Sequence, residues 1–238
     1  MKLKVCGMKY VNNIQEVVNL QPDYLGFIFY EKSKRNFEGI IPELPKSVKK
    51  TGVFVNEHSE IVISLVEEYQ LDALQLHGDE SVMYIKELQS QLAERNALFI
   101  EENKHQKKKK NKHDIVKDKI EIIKVFGIKD AFDFDVLKPY LEVVDYFLFD
   151  AKPSIGDKSQ KGGLNKVFDW SLLKEWTGPK YILSGGLNIK NVEDAIKMTN
   201  AVVIDVSSGV ESEPGIKNEE MIKNFIDTTK SAFGKRDE

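Results

Sequence analysis

Short apolar runs alternate with amphipathic stretches along most of this chain. "LKVCG" (3–7), "YLGFIFY" (24–30), "TGVFVN" (51–56), "DALQLHG" (72–78), "IEIIKVFGI" (120–128), "YFLFD" (146–150), "YILSGG" (181–186) and "VVIDVSSG" (202–209) read as strands. They are rich in β-branched and aromatic residues and short enough to be buried strands. Between them the apolar positions recur at helical spacing. In 59–70, Ile61, Val62, Leu65, Val66 and Tyr69 share a face behind a capping Ser59. In 218–233, Met221, Ile222, Phe225, Ile226 and Phe233 do the same. The spacing predicts further helices over 12–20, 80–93, 131–143, 169–176 and 190–199, with Asp169 and Asn188 at or near the caps. The segment 38–49 holds Pro42 and Pro45 and has room for little more than a turn or two of helix.

Eight strands, each followed by a helical pattern, predict an all-parallel sheet. Closed on itself, it is an α/β (β/α)8 TIM barrel, a fold of about 250 residues. The 238 residues fit one such domain spanning 1–238. An open doubly wound sheet is the alternative, but no G-x-G-x-x-G follows the first strand. One segment breaks the alternation. Residues 101–119, "EENKHQKKKKNKHDIVKDK", hold eight lysines and four acids. They read as a flexible, solvated insertion between the fourth helix and strand 5, too polar to order itself.

Strand parity selects the candidate chemistry, because side chains alternate across a strand. Leu3 and Val5 share a face, leaving Lys4 and Cys6 on the other; Leu74 and Leu76 leave Gln75 and His77. Phe147 and Phe149 leave Asp150, and Ile204 and Val206 leave Asp205. With the apolar sets against the helices, these polar side chains point into the barrel. Barrel enzymes keep their chemistry at the C-terminal strand ends. An inward polar group there is expensive without a partner, which points to function.

Composition narrows the classes. A net charge of −3 argues against a nucleic-acid binder. No apolar run approaches the ~18–20 residues of a membrane helix, and the N-terminus lacks a signal-peptide core. The single cysteine, Cys6, cannot form an internal disulfide, so a cytoplasmic setting is expected. The four histidines are scattered, and no Cys/His cluster has zinc-ligand spacing, so no metal is expected. The loops "SGGLN" (184–188) and "SSGVESEPGIKN" (207–218) follow strands 7 and 8, where barrels cradle phosphate. A small phosphorylated substrate is the expected partner, bound by a monomer or a homodimer.

The motifs "KVCGM", "YLGFIFYEKSKRNF", "GVFVN", "LQLHGDE", "LFD…GGLNKVFDW", "LSGGLNIKNVEDAI" and "IDVSSGVESEPGIKN" run in order from residue 2 to about 230. Together they resemble the phosphoribosylanthranilate isomerases of tryptophan biosynthesis. The resemblance implies an Amadori rearrangement of N-(5'-phosphoribosyl)anthranilate to 1-(o-carboxyphenylamino)-1-deoxyribulose 5-phosphate in a (β/α)8 barrel. By the same resemblance, Cys6 is the general base and Asp150 the general acid. Arg35 holds the anthranilate end of the substrate, and Asp205 matches an active-site aspartate counted with substrate binding. Gly185, Gly186, Ser208 and Gly209 fall in the phosphate loops. Taken alone, Cys6 reads as an inert buried thiol and Arg35 as a surface charge; His77 reads as a hydrogen-bonded lumen residue.

Two departures stand out. Family members commonly carry a glycine two places after the Gly-Gly pair of the loop 151–168, where this chain has Leu164 and Asn165. Met8 and Lys9 also depart from the commoner residues after the Cys-Gly. The loop 151–168 is long enough to close over a substrate. Other classes are a sugar-phosphate isomerase of the histidine-pathway type, a ribulose-phosphate epimerase and a non-catalytic binding barrel. The first resembles a doubled half-barrel with an aspartate in place of Cys6, the second presents metal-binding histidines, and the third has no need of Cys6 and Asp150.

Overall fold

Eight parallel strands pair in chain order, and the last returns to the first to close a barrel. The computed structural model describes residues 1–105, 119–129, 131–151 and 167–234. The strands are β1 (Lys2–Cys6), β2 (Tyr24–Ile28), β3 (Lys49–Phe54), β4 (Ala73–Leu76), β5 (Glu121–Ile128), β6 (Tyr146–Ala151), β7 (Tyr181–Leu183) and β8 (Val203–Val206). A small antiparallel hairpin, β9 (Glu211–Glu213) with β10 (Ile216–Lys217), follows β8. The helices are α1 (Val11–Val18), α2 (Ser59–Tyr69), α3 (Val82–His105), α4 (Val192–Met198) and α5 (Glu219–Gly234).

The predicted parity holds. Leu3, Val5, Phe147, Phe149, Ile204 and Val206 pack outward into the layer between barrel and helices. The lumen is filled by Tyr24, Ala73, Ile123, Val125, Leu148, Ile182 and Val203. Burying each large apolar side chain stabilises the fold by about 1.5–3 kcal/mol before ordering entropy is set against it.

The structure corrects several helix expectations. Residues 134–140 and 170–175 form 3-10 turns rather than α-helices. Pro139 lies inside the first and lacks the N–H that an α-helical ladder needs. Asp169 does cap the second, accepting from Ser171 N at 2.9 Å. Ser59 is the first helical residue of α2; the cap position is His58, without a side-chain bond. Asn188 accepts from Lys190 N at 2.9 Å, just ahead of α4. No helix forms over 38–49. Aromatic packing takes its place, with Phe37 edge-on to Phe27 and Phe29 at centroid distances of 5.0 and 6.0 Å.

α3 runs on to His105, into the lysine-rich segment, whose residues 106–118 lie outside the described residues. So do Gly162, Gly163, Leu164 and Asn165 of the loop after β6. Among the described residues no helix is long and apolar enough to cross a membrane.

Candidate active site

β1 carries Lys4 and Cys6 on its lumen face, and parallel pairing with β8 sets Lys4 beside Asp205. The Lys4 Nζ donates to both Asp205 carboxylate oxygens at 3.0 Å. Both side chains are removed from solvent, at 0% and 4% exposure. A buried ion pair at best roughly offsets its own desolvation, so it adds little to stability. Its place in the lumen under the strand ends points instead to an electrostatic role.

Burial pulls the Lys4 ammonium down, but the charge of Asp205 and then of Cys6 outweighs it, so Lys4 stays above its ordinary 10.5. The Cys6 thiol moves the same way. Burial lifts it above its ordinary 9.0, while Lys4 and Lys217 pull it down and Asp205 pushes it up. The sequence places Lys4 to draw the thiol towards neutrality. In the structure the Lys4 charge is already paired with Asp205, and desolvation wins.

Asp150 stands near the end of β6, with its side chain 25% exposed at the mouth. Desolvation raises its carboxyl to about 6, against the downward pull of the Ala151 N–H and of Lys4. The neighbouring loop makes room for it. Gly185 has φ +91°, and a Cβ there would lie 2.5 Å from Asp150 Oδ1. His77 reaches across the same mouth, its Nε2 3.6 Å from Asp150 Oδ2. Desolvation, then the charges of Lys4 and Lys124, hold the imidazole low, at about 4. His77 therefore faces Asp150 as a neutral ring, and its Nδ1 lies 3.3 Å from Gln75 Nε2.

Arg35 comes from the loop after β2, which is pinned in place of a helix. Phe37 N donates to Ile28 O at 2.8 Å and Tyr30 N to Asn36 Oδ1 at 2.9 Å. The Arg35 Nε donates to Glu211 Oε1 and Oε2 at 2.8 and 3.0 Å, and Nη2 to Oε2 at 2.5 Å. The lone-residue reading as a surface charge is thus corrected, since the side chain is 15% exposed and held across the barrel mouth. Gly185 and Gly186 both turn at positive φ, +91° and +65°. Ser208 and Gly209 open a 3-10 turn after β8. A Cβ on Gly209 would lie 1.9 Å from Leu187 O, so the loops after β7 and β8 pack directly on each other. The four loop residues are thereby brought to one place.

A family model for "N-(5'phosphoribosyl)anthranilate (PRA) isomerase" matches residues 3–116 and 104–228. The isomerase of Sinorhizobium fredii is 34% identical, over 98% of this chain and 94% of its own length. The chain belongs to the N-(5'-phosphoribosyl)anthranilate isomerase family. That of Parabacteroides distasonis is 36% identical, over 95% of this chain and 92% of its own. The crystal structure of the isomerase from Thermotoga maritima superposes with a TM-score of 0.72 at 33% identity, covering 97% of this chain and 99% of that one. A phosphoribosylanthranilate isomerase solved in complex with reduced 1-(o-carboxyphenylamino)-1-deoxyribulose 5-phosphate superposes at 0.71, with 32% identity and the same coverage. Membership makes the chain an isomerase of tryptophan biosynthesis.

Other parts of this isomerase's site escape sequence reasoning. Glu211 and Lys217 lie in a quoted motif, but nothing local ties them to Arg35. Lys124 and Glu80 form a second buried pair at 3.1 Å. Glu80 also accepts from Asn56 N at 2.9 Å and Gly78 N at 3.0 Å, fixing the loop that presents His77. The "HGDE" run that holds Glu80 is legible; its partner on β5 is not.

Gly26 pairs with Cys6 in register and bounds the space of its thiol. A Cβ there would lie 2.6 Å from Cys6 Sγ and 3.0 Å from its Cα. Gly26→Ala is expected to displace the thiol and lower kcat by about tenfold or more, because a misplacement of ~1 Å can cost about 10²-fold. Steady-state kinetics beside a thermal melt separate that loss from unfolding.

Proposed function

We propose that the isomerisation runs by acid–base catalysis, with Asp150 as the acid and Cys6 as the base. The substrate is a ribose 5-phosphate bearing an aromatic amine at C1. Asp150 delivers its proton to the furanose oxygen as the C1–O bond breaks, and the ring opens to a protonated imine. The positive nitrogen acidifies the C2 hydrogen, which the Cys6 thiolate removes. The C2–H electron pair forms the neutral enolamine; C1 then takes a proton while the C2 hydroxyl gives up its own, which leaves the neutral ketone. No metal enters these steps. The observation that carries the reading is Asp150, a carboxyl raised to about 6 at the mouth of the barrel. A carboxyl at that value keeps a minor protonated fraction near neutrality and gives that proton up readily.

The other roles are those that the family resemblance implies, and the placement of the residues around the mouth is compatible with them. Arg35 meets the substrate's aromatic carboxylate, and Gly185, Gly186, Ser208 and Gly209 receive its phosphate. Asp205 touches substrate through lone pairs left over from its bonds to Lys4, and keeps Lys4 charged beside Cys6. The reduced thiol fits a cytoplasmic setting.

The test is an assay of the purified protein on phosphoribosyl anthranilate across pH. The productive form pairs a neutral Asp150 with a thiolate Cys6. Asp150 titrates near 6 and the thiol above its ordinary 9.0, so between those values the productive fraction stays small and constant. The value of kcat/KM is therefore expected to be flat from about pH 6 to the thiol's titration and to fall outside. A folded protein without turnover overturns the function. A rise with pH across the whole neutral range overturns the acid assignment.

A further inference from the structure

Beside the acid and the base, the mouth of the barrel holds a second arrangement of charges. Glu211, on β9, receives the Nε and Nη2 groups of Arg35. The same carboxylate accepts from the Lys217 ammonium at 2.5 Å and from Gly215 N at 3.2 Å. Lys217, on β10, also donates to the carbonyl and hydroxyl oxygens of Ser207 at 3.3 Å, one residue before the loop of Ser208 and Gly209. Its backbone is locked by Asn13, which accepts from Lys217 N and donates to its carbonyl at 2.8 Å each. Glu211 and Lys217 are 4% and 0% exposed.

We infer that Glu211 is a positioning residue that holds the Arg35 guanidinium by one edge and presents its other edge to the substrate's carboxylate. A guanidinium offers two bidentate edges. Glu211 occupies the Nε–Nη2 edge and leaves the Nη1–Nη2 edge aimed away from it. Arg35 and Lys217 share the one Glu211 carboxylate, and the Cys6 sulfur lies within the field of both cations. The Arg35 stem is held from below as well, since a Cβ on Gly7 would lie 2.6 Å from its Cδ. Lys217 supports Glu211 from the opposite side and couples it to the loop after β8.

The inference rests on the reading that Arg35 meets the aromatic carboxylate, and the test separates the two. The variants are Glu211→Gln, Glu211→Ala, Arg35→Ala and the double Arg35→Ala/Glu211→Ala, each checked for folding by circular dichroism. Glu211→Gln keeps the shape of the side chain where the alanine variant fails to fold. The readouts are KM, kcat, and the affinities of reduced 1-(o-carboxyphenylamino)-1-deoxyribulose 5-phosphate and of its analogue lacking the carboxyl group. Glu211→Gln is expected to raise KM about tenfold with little change in kcat, and to erase most of the preference for the carboxylated ligand. In the Arg35→Ala background, removing Glu211 is expected to add nothing to KM. Equal weakening of both ligands, or a full additional loss in the double variant, marks a merely structural role and overturns the inference. If Arg35→Ala loses the preference while Glu211→Gln keeps it, the inference fails and the Arg35 reading stands. If Arg35→Ala keeps it, both fall.

Discussion

Cys6→Ala is expected to lower kcat by about 10³-fold, within the range that general bases contribute, while KM stays close to that of the parent protein. The thiol is the only group that the lumen face of β1 offers at the strand end. Alanine leaves a small void there and little else, so the fold survives. Cys6→Ser tests the chemistry more sharply. The hydroxyl fills nearly the same space but does not ionise in the accessible range, so it is expected to be about as inactive as alanine. Steady-state kinetics of both variants, with melting temperatures alongside, check the result. Full activity in either removes Cys6 from the mechanism.

Asp150→Asn carries the second large effect, with opposite consequences for rate and stability. The amide keeps the shape of the carboxyl and has no proton to give, so kcat is expected to fall by about 10³-fold. Stability is expected to rise at neutral pH. The folded carboxyl titrates near 6, above its ordinary 3.8. A raised carboxyl binds its proton more tightly folded than unfolded, so its burial penalty is absent below pH ~4. The penalty grows as pH climbs through the folded value and is complete above about 6. Replacing Asp150 removes it, a gain of up to about 3 kcal/mol at pH 7.5 that vanishes near pH 3.5. Denaturant unfolding of both proteins at the two pH values measures this. A variant no more stable than the parent at pH 7.5 shows that the carboxyl is not strained in the folded state. Activity held at the expense of stability is common at catalytic sites.

The site divides cleanly by the kind of information each part requires. Lys4, Cys6, Gln75, His77, Asp150 and Asp205 were readable as inward-facing because strand parity is a local property with a period of two. Their pairing was not readable. Lys4 and Asp205 are separated by 201 positions and meet only because β8 returns to β1. Arg35 and Glu211 are separated by 176, and meet because Phe37 pins one loop while the β9–β10 hairpin carries the other. Gly26 looked like any strand glycine until register set it against Cys6.

The helical connections show the same division. Apolar spacing identified 59–70 and 218–233 to within a residue or so, since each has a broad apolar face. Over 131–143 and 169–176 the spacing was right but the winding was not: Pro139 interrupts the first, and both settle as 3-10 turns. Over 38–49 the aromatic cluster around Phe37 replaces a helix altogether, a packing solution that a one-dimensional pattern does not encode.

The chain's order of apolar runs and the alternation within each run determined a parallel barrel and the set of groups facing its lumen, because those properties depend only on neighbours in sequence. Which cation meets which carboxylate, and the upward shift of Cys6 despite a lysine two residues away, were decided by closure of the barrel. Electrostatic energies depend on distance and on exclusion of water, and both exist only once distant strands have been brought together.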